Sequence, residues 1–244
     1  MKTNRMFVPI TVLAIIIGLA ARSARADNDF IVYSPYVVQG QSEVETYGFD
    51  SVDGRSNLNT ASGYNISVAH AFTSWWKTEV YVGEFNRDPG GSTYLSGNEF
   101  ENTFQLTDRG EYWADVGFLA SYAYNKQPGI SNSVEFGPLF EKLSGHIDQR
   151  LNLVWVRPIG SGANEFRSAY SISYNINAGK ATYSPGLEVY YRPNDNAYQI
   201  GPVLYGELRT GAGSELEYSL GVVFGINQDA PNGTLLARVE YEFF

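Results

Sequence analysis

Residues 215–226 read Glu215-Leu216-Glu217-Tyr218-Ser219-Leu220-Gly221-Val222-Val223-Phe224-Gly225-Ile226. Every second position from Leu216 to Ile226 is apolar, while Glu217, Ser219, Gly221 and Gly225 lie between them. A step of two is the period of an extended chain, whose successive side chains point to opposite faces of a sheet. The stretch is therefore a strand, long, Pro-free and two-faced.

The same unit repeats outward from it. Turn signals rich in Gly, Asn, Asp, Pro and Ser fall at 51–55, 73–74, 87–91, 107–110, 125–129, 144–145, 158–162, 177–179, 193–196, 211–213 and 228–233. Between them lie twelve expected strands: 42–50, 62–72, 75–86, 95–106, 111–124, 130–142, 146–156, 164–176, 181–192, 197–209, 214–226 and 234–244. No helical stripe interrupts the series. In the eight clearest strands one register holds 41 positions, and none is Asp, Glu, Lys or Arg. The opposite register holds 38, of which 14 are charged.

Such two-faced strands bury their apolar side in a soluble core or present it to lipid. Three features select lipid. Each strand is long enough to cross a bilayer at a tilt, which takes about 9–11 residues. Aromatics collect at the ends of the apolar register, at Phe100, Tyr112, Tyr124, Trp155, Tyr183, Tyr191 and Phe243, as in interfacial girdles. Glycines on the charged face (Gly117, Gly137, Gly186, Gly201, Gly221, Gly225) suit a crowded concave interior. In lipid every backbone N–H and C=O must be paired, so a spanning sheet closes on itself. The expected fold is all-β: a transmembrane antiparallel up-and-down barrel of about twelve strands over 42–244. Counted back from the C-terminus, the shorter turns 73–74, 107–110, 144–145, 177–179 and 211–213 are periplasmic.

The segment before the barrel divides in two. Lys2 and Arg5 precede an apolar run, Val8 to Ala20, and Ala24-Arg25-Ala26 has the form of a cleavage site, so 1–26 reads as a secretory signal peptide. Residues 27–41 are expected as an N-terminal periplasmic lead, or as an extra β-piece packed at the mouth. The signal carries four basic residues and no acid, which leaves 13 basic against 26 acidic residues and a net charge of −13. A chain this acidic lacks the basic footprint that nucleic acid requires. There is no Cys, so neither disulfides nor thiolate chemistry contribute.

The chain ends Val239-Glu240-Tyr241-Glu242-Phe243-Phe244, which resembles the signature by which outer-membrane barrels are recognised for assembly. Tyr241, Phe243 and Phe244 are the residues that would carry it. The alternation ends at Phe243, with Phe244 out of phase. The stretches 100–106, 110–117 and 225–235 also resemble a group of porin-like proteobacterial outer-membrane barrels without an assigned function. The resemblance implies fold and an outer-membrane location only, and it transfers no catalytic residue; the expected partners are outer-membrane lipid, lipopolysaccharide and the assembly machinery.

Chemistry has few footholds. Only His70 and His146 are present, and no nucleophile elbow, zinc-protease or phosphate-loop motif occurs. His146 is expected to line the mouth and bond to Asp148; pairing it with Ser144 would give a lipid-active hydrolase. The Asn194–Asn196 and Asn86–Asp88 loops lack a calcium-loop spacing. No enzyme activity, cofactor or metal is expected. What stands out is the inward face. It is expected to carry Glu99, Glu101, Glu111, Asp115, Glu135, Glu141, Asp148, Glu188, Glu207, Glu217, Glu240 and Glu242 against Lys77, Arg150 and Arg238, with Glu79 in addition. Unpaired buried carboxylates are costly, so this excess points to a hydrated interior. The expected function is a small passive channel for cations or small polar solutes. The alternative is a plugged, non-conducting structural or accessory barrel, and a lipid-active outer-membrane hydrolase comes third.

Overall fold

A computed structural model describes residues 30–244, so the expected signal peptide and residues 27–29 lie outside the described residues. The strands are β1 (Ser42–Val52), β2 (Ser62–Ala71), β3 (Trp76–Arg87), β4 (Tyr94–Gln105), β5 (Asp115–Asn125), β6 (Ser133–Ser144), β7 (Ile147–Pro158), β8 (Glu165–Tyr174), β9 (Ile176–Ala178), β10 (Ala181–Arg192), β11 (Ala197–Gly211), β12 (Ser214–Gly225) and β13 (Gly233–Phe243). Each pairs antiparallel with its neighbours. β8 and β9 both pair with β10 and form one stave interrupted at Asn175, so thirteen segments make twelve staves. β1 pairs with β13 from Ser42 opposite Phe243 to Val52 opposite Gly233, which closes the barrel. Closure removes the two free edges that lipid cannot solvate.

The rim at Ser42 and Phe243 carries mostly the tighter turns, the kind that periplasmic rims carry, and is called the inner rim; the rim at Val52 and Gly233 is called the outer one. Glycines with positive φ sit in these turns, Gly145 (φ 63°) and Gly213 (φ 78°) at the inner rim among them, where an L side chain would be strained.

The two registers separate as their residues require. Leu220 is 58 % exposed and Phe224 51 %, and Val82, Leu187, Leu204 and Leu235 join them in an outer apolar belt that water would not tolerate at this size. The opposite face is crowded. A Cβ added to Gly137 would lie 1.8 Å from the Leu153 carbonyl oxygen, so only glycine lets those two strands meet there.

The segment expected as a periplasmic lead lies inside the barrel instead, over its described residues 30–41. Phe30 packs on Phe49 and Tyr190 at ring separations of 5.2 and 5.1 Å, within a buried cluster that includes Val223 and Leu236. Those partners lie in the outer half of their strands, whereas Gly40 bonds to Ala71 at the inner rim. The chain thus descends through the lumen before turning into β1. Its sequence supplies the reason: Phe30-Ile31-Val32 is apolar enough to fill a barrel interior, and Pro35 prevents the segment from extending the sheet.

Candidate functional site

The candidate site is the lumen, divided by the internal segment. Strands β5, β6, β7 and β4 aim polar side chains at it. Asn152 accepts from the Tyr33 N–H through Oδ1 (2.7 Å) and donates through Nδ2 to the Tyr33 carbonyl (3.0 Å). Ser34 Oγ donates to Glu141 (2.7 Å), Tyr36 OH to Asp115 (2.5 Å), and the Val37 N–H to Gln105 (2.8 Å). The Arg109 guanidinium stacks on the Tyr36 ring at 3.9 Å and that of Arg192 on Phe30 at 4.7 Å. Leu119, Leu139 and Val154 form an apolar layer beside Tyr33. The segment is therefore held by side chains rather than by a strand ladder.

A cavity of about 1010 Å³ opens above it toward the outer rim, floored in part by Ile31 and Tyr33. Near the inner rim a pocket of about 150 Å³ is lined by Arg150, Glu207, Glu217 and Arg238 among others. Among the described residues these open spaces lie toward the two ends of the lumen, and the internal segment with its apolar layer occupies the part between them.

The expected acidic residues are placed as follows. Glu99, Glu101, Asp115, Glu135, Glu141, Asp148, Glu188, Glu207, Glu217 and Glu240 lie on the inward register, and Glu101 is only 2 % exposed. Glu111 does not. β5 begins at Asp115, and Glu111 sits in the exposed turn, where it accepts from the Asp108 N–H (3.1 Å). The Arg109-Gly110 turn, with Gly110 at positive φ, keeps the chain out of the sheet there.

Each expected lumen cation is paired. Lys77 Nζ lies 2.8 Å from Glu43, Arg150 3.2 Å from Glu141 and 3.0 Å from Asp148, and Arg238 2.5 Å from both Glu45 and Glu240. Pairing with hydrogen bonding is what makes such burial tolerable. Tyr190 and Tyr205 donate to the two oxygens of Glu188 (2.9 and 2.6 Å). Glu43, Glu45 and Arg167, the last 3.2 Å from Glu135, were not expected. A two-residue step read through 43–49 and 165–173 would have found them.

The remaining candidates resolve simply. His146 bonds to the Asn175 carbonyl through Nδ1 (2.9 Å) and stacks on Tyr174, while Asp148 is held by Arg150, so the expected His146–Asp148 bond is not formed. His70 lies beside Ser42 on the outer register (3.0 Å), and among the described residues no carboxylate bonds to it. Oxygens of Glu43, Glu240 and Glu242 lie within 4.8 Å of one another, but the Lys77 ammonium already supplies their positive charge. Tyr241 and Phe243 point outward and stack at 5.9 Å, and Phe244 lies at the inner rim against Gly213.

One charged clasp lies outside the membrane-spanning strands. Asp53, at the outer end of β1, receives Arg55 at 2.6 and 2.8 Å and the Asn232 N–H at 2.8 Å. Arg55 also donates to the carbonyls of Gln228 and Ala230. The Arg55 guanidinium holds the Asp53 carboxyl well below the usual carboxylate range, and backbone N–H donors act in the same direction. The clasp ties together two outer loops that flank the closing seam.

No protein-family model and no curated protein matches the sequence. Solved structures do match in shape. The translocator domain of the autotransporter NalP from Neisseria meningitidis superposes with a TM-score of 0.55 at 10 % identity, over 85 % of this chain and 88 % of that one. An outer membrane channel from Pseudomonas putida F1 gives 0.56 at 12 % identity, over 89 % and 98 %. The chain folds as an outer-membrane-type β-barrel: the closed twelve-stave sheet, the outward apolar belt and these neighbours agree on the fold.

Proposed function

We propose that the protein is a small, non-enzymatic outer-membrane channel for cations and small polar solutes, held shut in this state by residues 30–41. The observation that carries the reading is how the segment is held. Apart from backbone bonds of Gly40 and Gln41 to Ala71 where the chain enters the sheet, residues 30–39 are held by side chains: four sets of hydrogen bonds, two stacked guanidinium groups and the packing of Phe30. Such ties break one at a time, whereas a paired strand would have to tear a ladder. An outer vestibule above it and an acid-rich lumen below it give a path once it moves.

The absence of Cys makes a direct test available. A Cβ built on Gly117 falls 2.7 Å from Pro35 Cβ, a little inside the Cβ separation of about 3.5–4.5 Å that a disulfide takes. The double variant Pro35→Cys/Gly117→Cys is expected to lock the segment when oxidised. In planar bilayers the oxidised protein should stay silent and the reduced protein should conduct. Silence in both states, and in the unmodified protein, would favour the plugged accessory barrel instead.

A further inference from the structure

We propose that the outer vestibule is a binding site for a small organic ammonium ion, a diamine or comparable amine, taken from the outside. The wall built by β2, β3 and β4 presents acceptors in excess. Asn65 is 1 % exposed and Asn86 8 %, both line the vestibule, and the Oδ1 of each has no hydrogen-bond partner among the described residues. A buried acceptor left without a donor costs stability, so a native wall that keeps two is built for a ligand that donates. Asn65 lies across from Glu84 on β3, and Glu99 lies across from Tyr81, so carboxylates and an aromatic ring flank the same acceptors.

The charge of the whole vestibule agrees. Six carboxylates line it against two guanidinium groups, and both are engaged: Arg167 with Glu135, and Arg192 over the Phe30 ring and with Gln199 at 3.2 Å. A neutral polyol would bring no charge to match that formal excess of acids over bases. A bare metal ion fits less well, since the cluster of three ligating carboxylates found among the described residues lies at the inner end. The vestibule, about 1010 Å³, is the size of small-molecule sites, and Tyr33 and Tyr81 offer the aromatic faces that organic cations prefer. Binding here requires no opening of the segment below, so it is read without any measurement of conduction.

The test is calorimetric titration of the refolded full chain with 1,4-diaminobutane and with 1,4-butanediol, which has the same length and no charge. Saturable one-to-one binding of the diamine and none of the diol is expected. Glu99→Gln and Asn65→Leu should each weaken it about ten-fold, the effect of losing one hydrogen bond to a charged group. Glu207→Gln, at the inner pocket, should leave it unchanged. Heat-modifiable migration checks assembly of each variant; should Asn65→Leu not assemble, the near-isosteric Glu99→Gln decides alone. Equal binding of diol and diamine, no binding of either, or affinity indifferent to the change at Glu99 overturns the assignment. Conductance enters none of these readouts.

Discussion

Single residues decide where this barrel is tight and where it gives. Gly117 is inward-facing, and its missing side chain is the space that Pro35 occupies. Asp53 is the sharpest electrostatic case. Its carboxyl titrates below an ordinary aspartate near 3.9 because Arg55 and two backbone N–H groups bind the ionised form. A depressed carboxylate contributes stability that is fully present above the ordinary value and is lost as pH falls through the depressed one. The clasp between the 53–61 and 226–232 loops should therefore be intact at neutral pH, weaken below about pH 4 and be released in stronger acid. Hydrogen exchange at the Asn232 amide, followed against pH, should show protection falling along that course. Asp53→Asn should flatten the curve, and an unchanged curve in that variant would mean the clasp draws nothing from the charge.

At the scale of the element, the strand's two faces carry opposite instructions. Leu220 on β12 faces lipid, whereas its neighbour Ser219 lines the inner pocket beside Glu217 and Glu240. A charge on the lipid face costs about 2–4 kcal/mol near the bilayer midplane. Leu220→Arg should accordingly lower the yield of heat-modifiable barrel and its urea midpoint, while Ser219→Arg, placed among carboxylates, should be tolerated. Equal damage from both would refute the register. The internal segment is the element that departs from the pattern. It has no alternation to pair with, and its apolar triplet and proline pack against inward apolar residues of the wall, Phe49, Val223 and Leu236 among them, within a lumen that is elsewhere rich in charge.

On the scale of the whole molecule, like charges inside low-dielectric walls concentrate counter-ions, and acidic rings select cations. Screening at physiological salt reaches about 8–10 Å, comparable with the span of a narrow lumen. In the unlocked state the barrel is expected to prefer K⁺ over Cl⁻, less so at high salt. Glu99→Gln, Glu101→Gln and Glu135→Gln together should reduce the preference, and the last also removes the charge that Arg167 meets at 3.2 Å. Reversal potentials across a salt gradient measure this, and anion preference in the unmodified protein would contradict it.

Sequence alone determined the twelve staves, the face that meets lipid and the acidity of the other face. All three follow from a period of two residues, which is local and is enforced by a solvent that solvates no backbone edge. Strand ends were legible to within a few residues, except at β5, where a turn centred on Gly110 delays the strand and takes Glu111 out of the lumen. Only the tertiary structure decided that residues 30–41 run inside, that Lys77, Arg150, Arg167 and Arg238 each meet a carboxylate, and that the larger open space gathers at the outer rim. These depend on which side chains face one another across a closed cylinder. Residues as distant in the chain as Tyr33 and Asn152 meet there, and no periodicity within a strand encodes that pairing.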